Sequence, residues 1–326
     1  MATRRTTRAH GPNARGRPVR FAVETWAPEF GAPVGADVLA ESDAEVDITV
    51  ELDAHDWAPI APMAGPATTV LFVDGVQRID ARVWVDGGDG ISRQGVCASW
   101  AAGVVRCDGR AAVVAAEVRR GVLCAGPGIE SIATRHGDYR ALPVPEVPGG
   151  DALGQALGQA RGDLVGRVAV VAGPDRELLV VDGPLGDRRH IVGAVGYVKA
   201  HHVSYLSVAQ HQVVGRLAAG ERTPLFTVGA GRFRYSWYLR LPSPATHPWW
   251  GVVRCEASGD LARGEAIARA DQVAATLPRF ASQPHNDPRA PQNLHPIAGL
   301  ERELKRRLGD PALLERALRQ TAAGRA

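Results

Sequence analysis

Lysine is almost missing from this chain: among 38 basic residues only Lys199 and Lys305 carry an ammonium group. Cysteine is scarce as well. Cys97, Cys107, Cys124 and Cys255 show no C-x-x-C spacing, which lends no support to a zinc site or a catalytic thiol and leaves buried thiols as the expectation. No run approaches the ~18 consecutive apolar residues of a membrane helix. Arg4-Arg5 is not followed by the apolar stretch that an export signal needs, so a cytoplasmic protein away from membranes is expected. The G-x-x-x-x-G-K-[ST] loop of an ATPase and the G-x-S-x-G elbow of a serine hydrolase are both absent, and Gly229-Ala230-Gly231 precedes a basic strand rather than a dinucleotide-binding helix.

What is present is ordinary for a chain with a sizeable core: 326 residues, 45% hydrophobic and 22% charged, read as one domain over 21–326 with its core at about 67–310. The net charge of +3 is unevenly spread. Six arginines and no acid lie in residues 1–20, so the remainder carries 3 − 6 = −3. Residues 1–20 read as a disordered basic tail, either simply solvated or touching nucleic-acid phosphates without sequence preference.

Two stretches stand out. Leu178-Leu179-Val180-Val181 is a short continuous apolar run, the pattern of a strand buried on both faces, and Asp182-Gly183-Pro184 ends it. Thr69-Val70-Leu71-Phe72-Val73 repeats the shape and ends in Asp74-Gly75. Two carboxylates at the ends of central strands repel one another, and a hard divalent cation between them offsets that repulsion. Asp-Gly is also a common turn dipeptide, which is the plainer account of either copy alone. Lys199 ends the next strand, Ile191 to Val198, where it either holds a phosphate or is a solvated strand end.

At these residues the chain resembles the NurA nucleases: VDG at 73–75, VVDGPL at 180–185, IVGAVGYVK ending at Lys199, WYLRL at 237–241, VVRCEAS at 252–258 and DPRAPQNLHPIAGLERELKRRLGD at 287–310. The blocks occur in the family's order from roughly 67 to 310. The resemblance implies an α/β fold with an RNase H-like mixed sheet flanked by helices, extended by further β-rich and C-terminal helical segments. It also implies 5'-3' exonuclease and single-strand endonuclease activity on DNA ends in double-strand break repair. Manganese is the implied metal, with magnesium the other candidate, and a homodimer working with a hexameric HerA-type ATPase is the implied assembly.

The chain departs from that family at two places. Family members carry a glutamate on the helix that here spans Asp151 to about Val170, and this helix has none. Gln155, Gln159 and Asp163 form an i, i+4, i+8 stripe beside its apolar face, so Asp163 is the candidate third metal ligand after Asp74 and Asp182. The family's tyrosine and histidine before the last helices have no clean match among Gln292, His295 and Leu300, and His295 is the nearest substitute. Asp80, Asp86 and Asp89 rival Asp74 as ligands, although a solvated strand face or turn accounts for each.

The remaining pattern fills in around the acids. Arg78 to Val85, Gln94 to Ala101 and Gly109 to Val118 read as an antiparallel meander, with Asp86 to Gly90 turning the chain. Alternation in Phe233 to Leu241 puts Arg234, Tyr238 and Arg240 on one face, the makings of a DNA grip by phosphate contact and stacking, with Arg254 on the next strand. Core packing for the aromatics and an Arg254–Glu256 pair are the plainer accounts. The competing class to a nuclease is a catalytically impaired DNA-binding or ATPase-adaptor module of the same fold.

Overall fold

The computed structural model describes residues 40–86, 91–126, 129–145, 151–172, 177–201, 203–231, 233–243 and 249–324. The basic tail and Asp89 fall outside the described residues. In chain order the strands and helices are β1 (Ala40–Glu41), β2 (Val46–Asp47), β3 (Val70–Asp86), β4 (Ser92–Cys107), β5 (Ala111–Ala125), β6 (Ile132–Thr134), β7 (Gly137–Val144), α1 (Ala152–Val171), β8 (Leu178–Asp182), β9 (Ala194–Val198), β10 (Val203–Ser204), α2 (Val208–Arg216), β11 (Phe226–Val228), β12 (Arg234–Arg240), β13 (Val252–Ser258), α3 (Arg263–Thr276), α4 (His295–Arg307) and α5 (Pro311–Ala323).

Eleven strands form one mixed sheet in the order β2-β11-β12-β13-β9-β8-β3-β4-β5-β7-β6. β3, β4 and β5 are the expected antiparallel meander, longer than the alternation alone suggested because β3 and β4 run as 17- and 16-residue strands. The two apolar runs become neighbours: β8 lies parallel to β3 with Val73 level with Val181, and β9 lies parallel to β8. β13 and β12 then continue the sheet antiparallel.

Side chains alternate across a strand, so each run feeds two faces. Phe72, Val180, Val195 and Cys255 join a core closed by α3 and α4 through Ala270, Val273, Ile297, Leu300 and Leu304. Leu71, Val73, Leu179 and Val181 join a second core under α1, packed by Leu157, Leu164, Val165 and Val168. α1 begins where expected, with the Asp151 side chain accepting from the Gly154 N–H at 2.9 Å. All four cysteines are buried thiols. No described helix is long and apolar enough to cross a membrane.

Candidate metal and phosphate site

Parity decides which face the two acids join. Asp74 lies two residues beyond Phe72 and Asp182 two beyond Val180, so both point to the α3/α4 side. Gly103, directly opposite Asp74 on β4, confirms it: a Cβ there would meet Leu304 Cδ2 at 3.0 Å and Leu300 Cδ1 at 3.1 Å. Because Val73 is level with Val181, the next residues place Asp74 beside Asp182; Asp182 is the last residue of β8, whereas β3 does not end at Asp74-Gly75 as expected but runs on beside β4 to Asp86, so Asp74 sits where β3 leaves its pairing with β8.

Asp74 is 8% exposed, and its Oδ1 accepts from the Gly75 N–H at 2.6 Å. Burial, and then the neighbouring Asp182 charge, push its carboxyl up to about 7; Lys199 and the Gly75 N–H act against this, and Glu301 adds to it. Lys199 Nζ donates to Asp182 Oδ2 at 2.9 Å and to Asn293 Oδ1 at 3.1 Å. It also lies 2.8 Å from Asp182 Oδ1, an ion-pair contact without hydrogen-bond alignment, so that buried oxygen has no hydrogen bond. Asn293 is fully buried and donates in turn to Asp287 Oδ2 at 2.6 Å. The Tyr197 hydroxyl donates to the Gln292 carbonyl at 2.6 Å, which ties the 282–294 loop down onto β9.

The acid that α4 adds is Glu301, whose carboxylate accepts from Arg289 at 2.5 Å and from Lys305 at 2.7 Å. Burial raises its pKa, but those two partners outweigh burial and leave it lowered. A cleft of ≈ 610 Å³ opens beside Asp182, lined by Lys199, Tyr205, Arg234, Arg254 and Arg289 among others. Glu256, also in its lining, is fully buried, accepting from the Leu185 N–H at 3.0 Å, from Arg234 Nε at 2.8 Å and from Arg254.

The candidate residues from sequence divide accordingly. Asp74, Asp182 and Lys199 come together. Asp163 does not: it is exposed on α1, on the other side of the sheet, where it accepts from Gln159 Nε2 at 2.8 Å. His295 is exposed at the start of α4 and lines a separate cleft with Arg110 and Arg279. Tyr238 is 1% exposed inside an aromatic cluster with Phe226 and Trp249, so its ring offers no face to a base. Arg240 is also buried and donates to the Trp250 carbonyl at 2.5 Å and the Val214 carbonyl at 3.3 Å. Arg234 and Arg254 reach the cleft while paired with Glu256, the Arg254 pairing being the plainer of the two readings made from sequence.

Asp80 is not on a solvated strand face: it is buried and accepts from Arg78 at 2.8 Å, from Ser99 and from Tyr139 at 3.0 Å. Asp86 is exposed at the end of β3. Asp287 and Asn293 stand out from sequence only as polar residues of a Pro- and Asn-rich loop, and Glu301 and Arg289 do not stand out. A signal for Glu301 was present, since it flanks the apolar stripe Ile297, Leu300, Leu304 and Leu308.

Two carboxylates level on neighbouring strands, one with an oxygen that has no hydrogen bond and the other held toward its protonated form, fit a divalent cation. Among the described residues, no third acid joins Asp74 and Asp182 with all ligand atoms within 4.8 Å of one another. Among the described residues, the one set of three with ligand atoms within 4.8 Å of one another is Asp53, His55 and Asp56, exposed around the turn at Ala54–Asp56.

No family model matches the sequence, and no curated protein matches it. Among solved structures, the chain is similar to the crystal structure of the NurA nuclease from Sulfolobus solfataricus, at 11% identity and a TM-score of 0.47, over 76% of this chain and 81% of that one. Neither figure reaches the level at which a shared site follows from a shared shape.

Proposed function

We propose that this chain is a divalent-metal-dependent deoxyribonuclease in which Asp74 and Asp182 hold the cation. The observation that carries the reading is the pairing of these two acids side by side on parallel β3 and β8, with Asp74 pushed up to about 7 by burial and then by the Asp182 charge. The order β5-β4-β3-β8-β9, antiparallel among the first three and parallel from β3 to β9, supports an RNase H-like core. When bound, manganese or magnesium supplies the charge that polarises a phosphodiester and acidifies water. Lys199, presented by Asp182 and Asn293, steadies the scissile phosphate. Arg234 and Arg254 hold the neighbouring phosphates along the cleft. Glu301 takes the place first given to Asp163 as the third acid, at the cost of its contacts with Arg289 and Lys305.

The substrate in this reading is DNA, single-stranded or at duplex ends, with 5'-3' exonuclease and single-strand endonuclease action in cytoplasmic end repair. A hexameric HerA-type ATPase is the proposed source of strand movement. A second reading has its own observation: Lys199 already pairs with Asp182 while Arg289 and Lys305 pair with Glu301, as in a module that keeps the fold and binds DNA or an ATPase without cutting.

The two readings part in one assay. The full chain with manganese and end-labelled single-stranded DNA is expected to release short products, and Asp74→Ala or Asp182→Ala each to lower that rate by at least about a hundredfold. Undiminished cleavage by both variants, or tight manganese-independent binding with no cleavage, would overturn the nuclease reading.

A further inference from the structure

Each acid of the candidate site is followed by a glycine, and each glycine has an arginine beside it. Asp74 faces α4, so Gly75 faces α1, where a Cβ would meet Val165 Cγ2 at 2.6 Å and Arg161 Cγ at 3.2 Å. At Gly183, whose φ of +86° turns the chain after Asp182, a Cβ would meet Arg188 Nη2 at 3.8 Å. Arg161 comes from α1 and Arg188 from the turn at Gly186–His190. The repeated Asp-Gly thus brings to each of two neighbouring strands a carboxylate and, next to it, room for a guanidinium.

The two arginines share a cleft of ≈ 700 Å³ on the α1 side, lined also by Arg167, Gly158, Gly162 and Pro184. Among the described residues none of the three arginines forms an ion pair, and the one acid in the lining, Asp163, is exposed and accepts from Gln159. Arg188 is half-buried and donates to the Pro184 carbonyl at 2.7 Å. Burial, and then the Arg161 charge, hold its guanidinium below the ordinary value, while Asp182, Glu256 and Asp74 act against this. Like charges gathered without a carboxylate of their own draw in an anion, and the fork of a guanidinium matches phosphate oxygens. The floor suits close approach as well. A Cβ on Gly158 or Gly162 would meet nothing within 4 Å. Among the described residues nothing requires glycine at these helix positions, where alanine is the better helix former, whereas a sugar-phosphate chain lying against the helix uses the space.

This cleft adjoins the one beside Asp182. Pro184 and Gly186 line both, so the loop after β8 is the ridge between them. Phosphates that leave Lys199, Arg234 and Arg254 meet Arg188 and Arg161 on crossing that ridge.

We propose, resting on the deoxyribonuclease reading above, that Arg161 and Arg188 form a second phosphate seat, so that one DNA strand crosses the Gly183–Gly186 loop with phosphates held on both sides of the bond over Asp74 and Asp182. The test is fluorescence anisotropy of the full chain with end-labelled single-stranded DNA of about 15 nucleotides, in EDTA so that no cut occurs, between about 50 and 200 mM salt. Wild type is compared with the double variant Arg161→Met/Arg188→Met, which keeps an apolar stem over Gly75 and removes both charges, and with Gly162→Gln, which fills the cleft from a helix glycine. The double variant is expected to bind about tenfold or more weakly at the lowest salt, with the slope of log affinity against log salt shallower by about 0.7, the share of one phosphate on a single strand. Gly162→Gln is expected to weaken binding by about threefold or more while its unfolding temperature stays at or above that of wild type, which separates a blocked cleft from a damaged fold. Unchanged affinity and slope in the double variant would overturn the proposal. So would variants that change the sedimentation of the chain and leave its hold on DNA intact, the mark of a partner helix on α1. The manganese assay decides the other reading separately: cleavage dependent on Asp74 and Asp182 with variant-insensitive binding ends the second seat alone, and variant-sensitive binding without cleavage ends the nuclease reading alone.

Discussion

Asp74 holds the most displaced acid of the site, and its protonation makes stability depend on pH in a definite direction. Unfolded, the carboxyl ionises near 3.8; folded, burial and Asp182 hold it at about 7. Between those values the folded chain keeps a proton that the unfolded chain has released, so its stability falls as pH rises through that window and is lowest above 7. At about 1.4 kcal/mol per unit, the loss attributable to Asp74 is on the order of 4 kcal/mol. Asp74→Asn keeps the shape without the charge, so its melting temperature is expected to exceed that of wild type at pH 8 and to approach it at pH 5. Manganese, by supplying the missing charge, is expected to raise the wild-type melting temperature more at pH 8 than at pH 5, and to do little for Asp74→Asn. Thermal unfolding at the two pH values, with and without the ion, checks both statements. An unfolding temperature for Asp74→Asn that tracks wild type at every pH would contradict them.

At the scale of strands and helices, what could be read from the chain depended on whether its cause was local. The apolar runs before Asp74 and Asp182 announce buried strands, and the spacing of Leu153, Leu157, Leu164 and Val168 announces α1, because each pattern is set by its own residues. Which helix faces the acids is not local: it depends on the parity of β3 and β8 relative to α1 and α4. Asp163 was the natural candidate on α1, yet Leu71 and Val73 send their side chains to that helix while Phe72 and Asp74 send theirs to α4. Tyr238 and Arg240 misled for a related reason, since alternation separates two faces but does not say that both are covered. The contact between β4 and α4 also gives a test. Gly103 has no room for a side chain, because a Cβ would stand 2.8 Å from the Ala115 carbonyl oxygen as well as against Leu300 and Leu304. Gly103→Val is therefore expected to cost about 1–3 kcal/mol in chemical unfolding and to displace Glu301 with its helix, whereas Gly158→Ala, with nothing within 4 Å on α1, is expected to be neutral or slightly stabilising.

Across the whole molecule, one buried cation joins parts of the chain that no strand pairing holds firmly. Arg222 is 1% exposed; its guanidinium reaches both oxygens of Glu51 at 2.8 Å and Asp271 Oδ1 at 2.8 Å. Glu51 also accepts from the Leu225 N–H at 2.8 Å, and the Arg222 backbone exchanges hydrogen bonds with Ile60 at 2.8 and 3.0 Å. The residues around 45–60 thus reach the β11 side of the sheet, and α3 locks behind them, through one guanidinium. Beyond it the segment is held by the two-residue pairing of β2 with β11, by the Gly229 N–H donating to the Glu45 carbonyl at 2.8 Å, and by the packing of Val50 and of Trp57 and its neighbours. Nothing in the sequence marks Arg222 among 36 arginines, since its partners lie 171 and 49 positions away. Removing the cation leaves two partly buried carboxylates unpaired, which costs more than the pairs themselves contribute. Arg222→Met is accordingly expected to lose about 3–5 kcal/mol. Arg222→Lys, a point charge unable to serve both carboxylates in the same fork, should recover only part of that. Limited proteolysis locates the effect: in Arg222→Met, cleavage between residues 45 and 60 should precede loss of the sheet, whereas in wild type the two should proceed together. If the segment stayed protected in Arg222→Met until global unfolding, the hold on it would lie in the Trp57 packing instead.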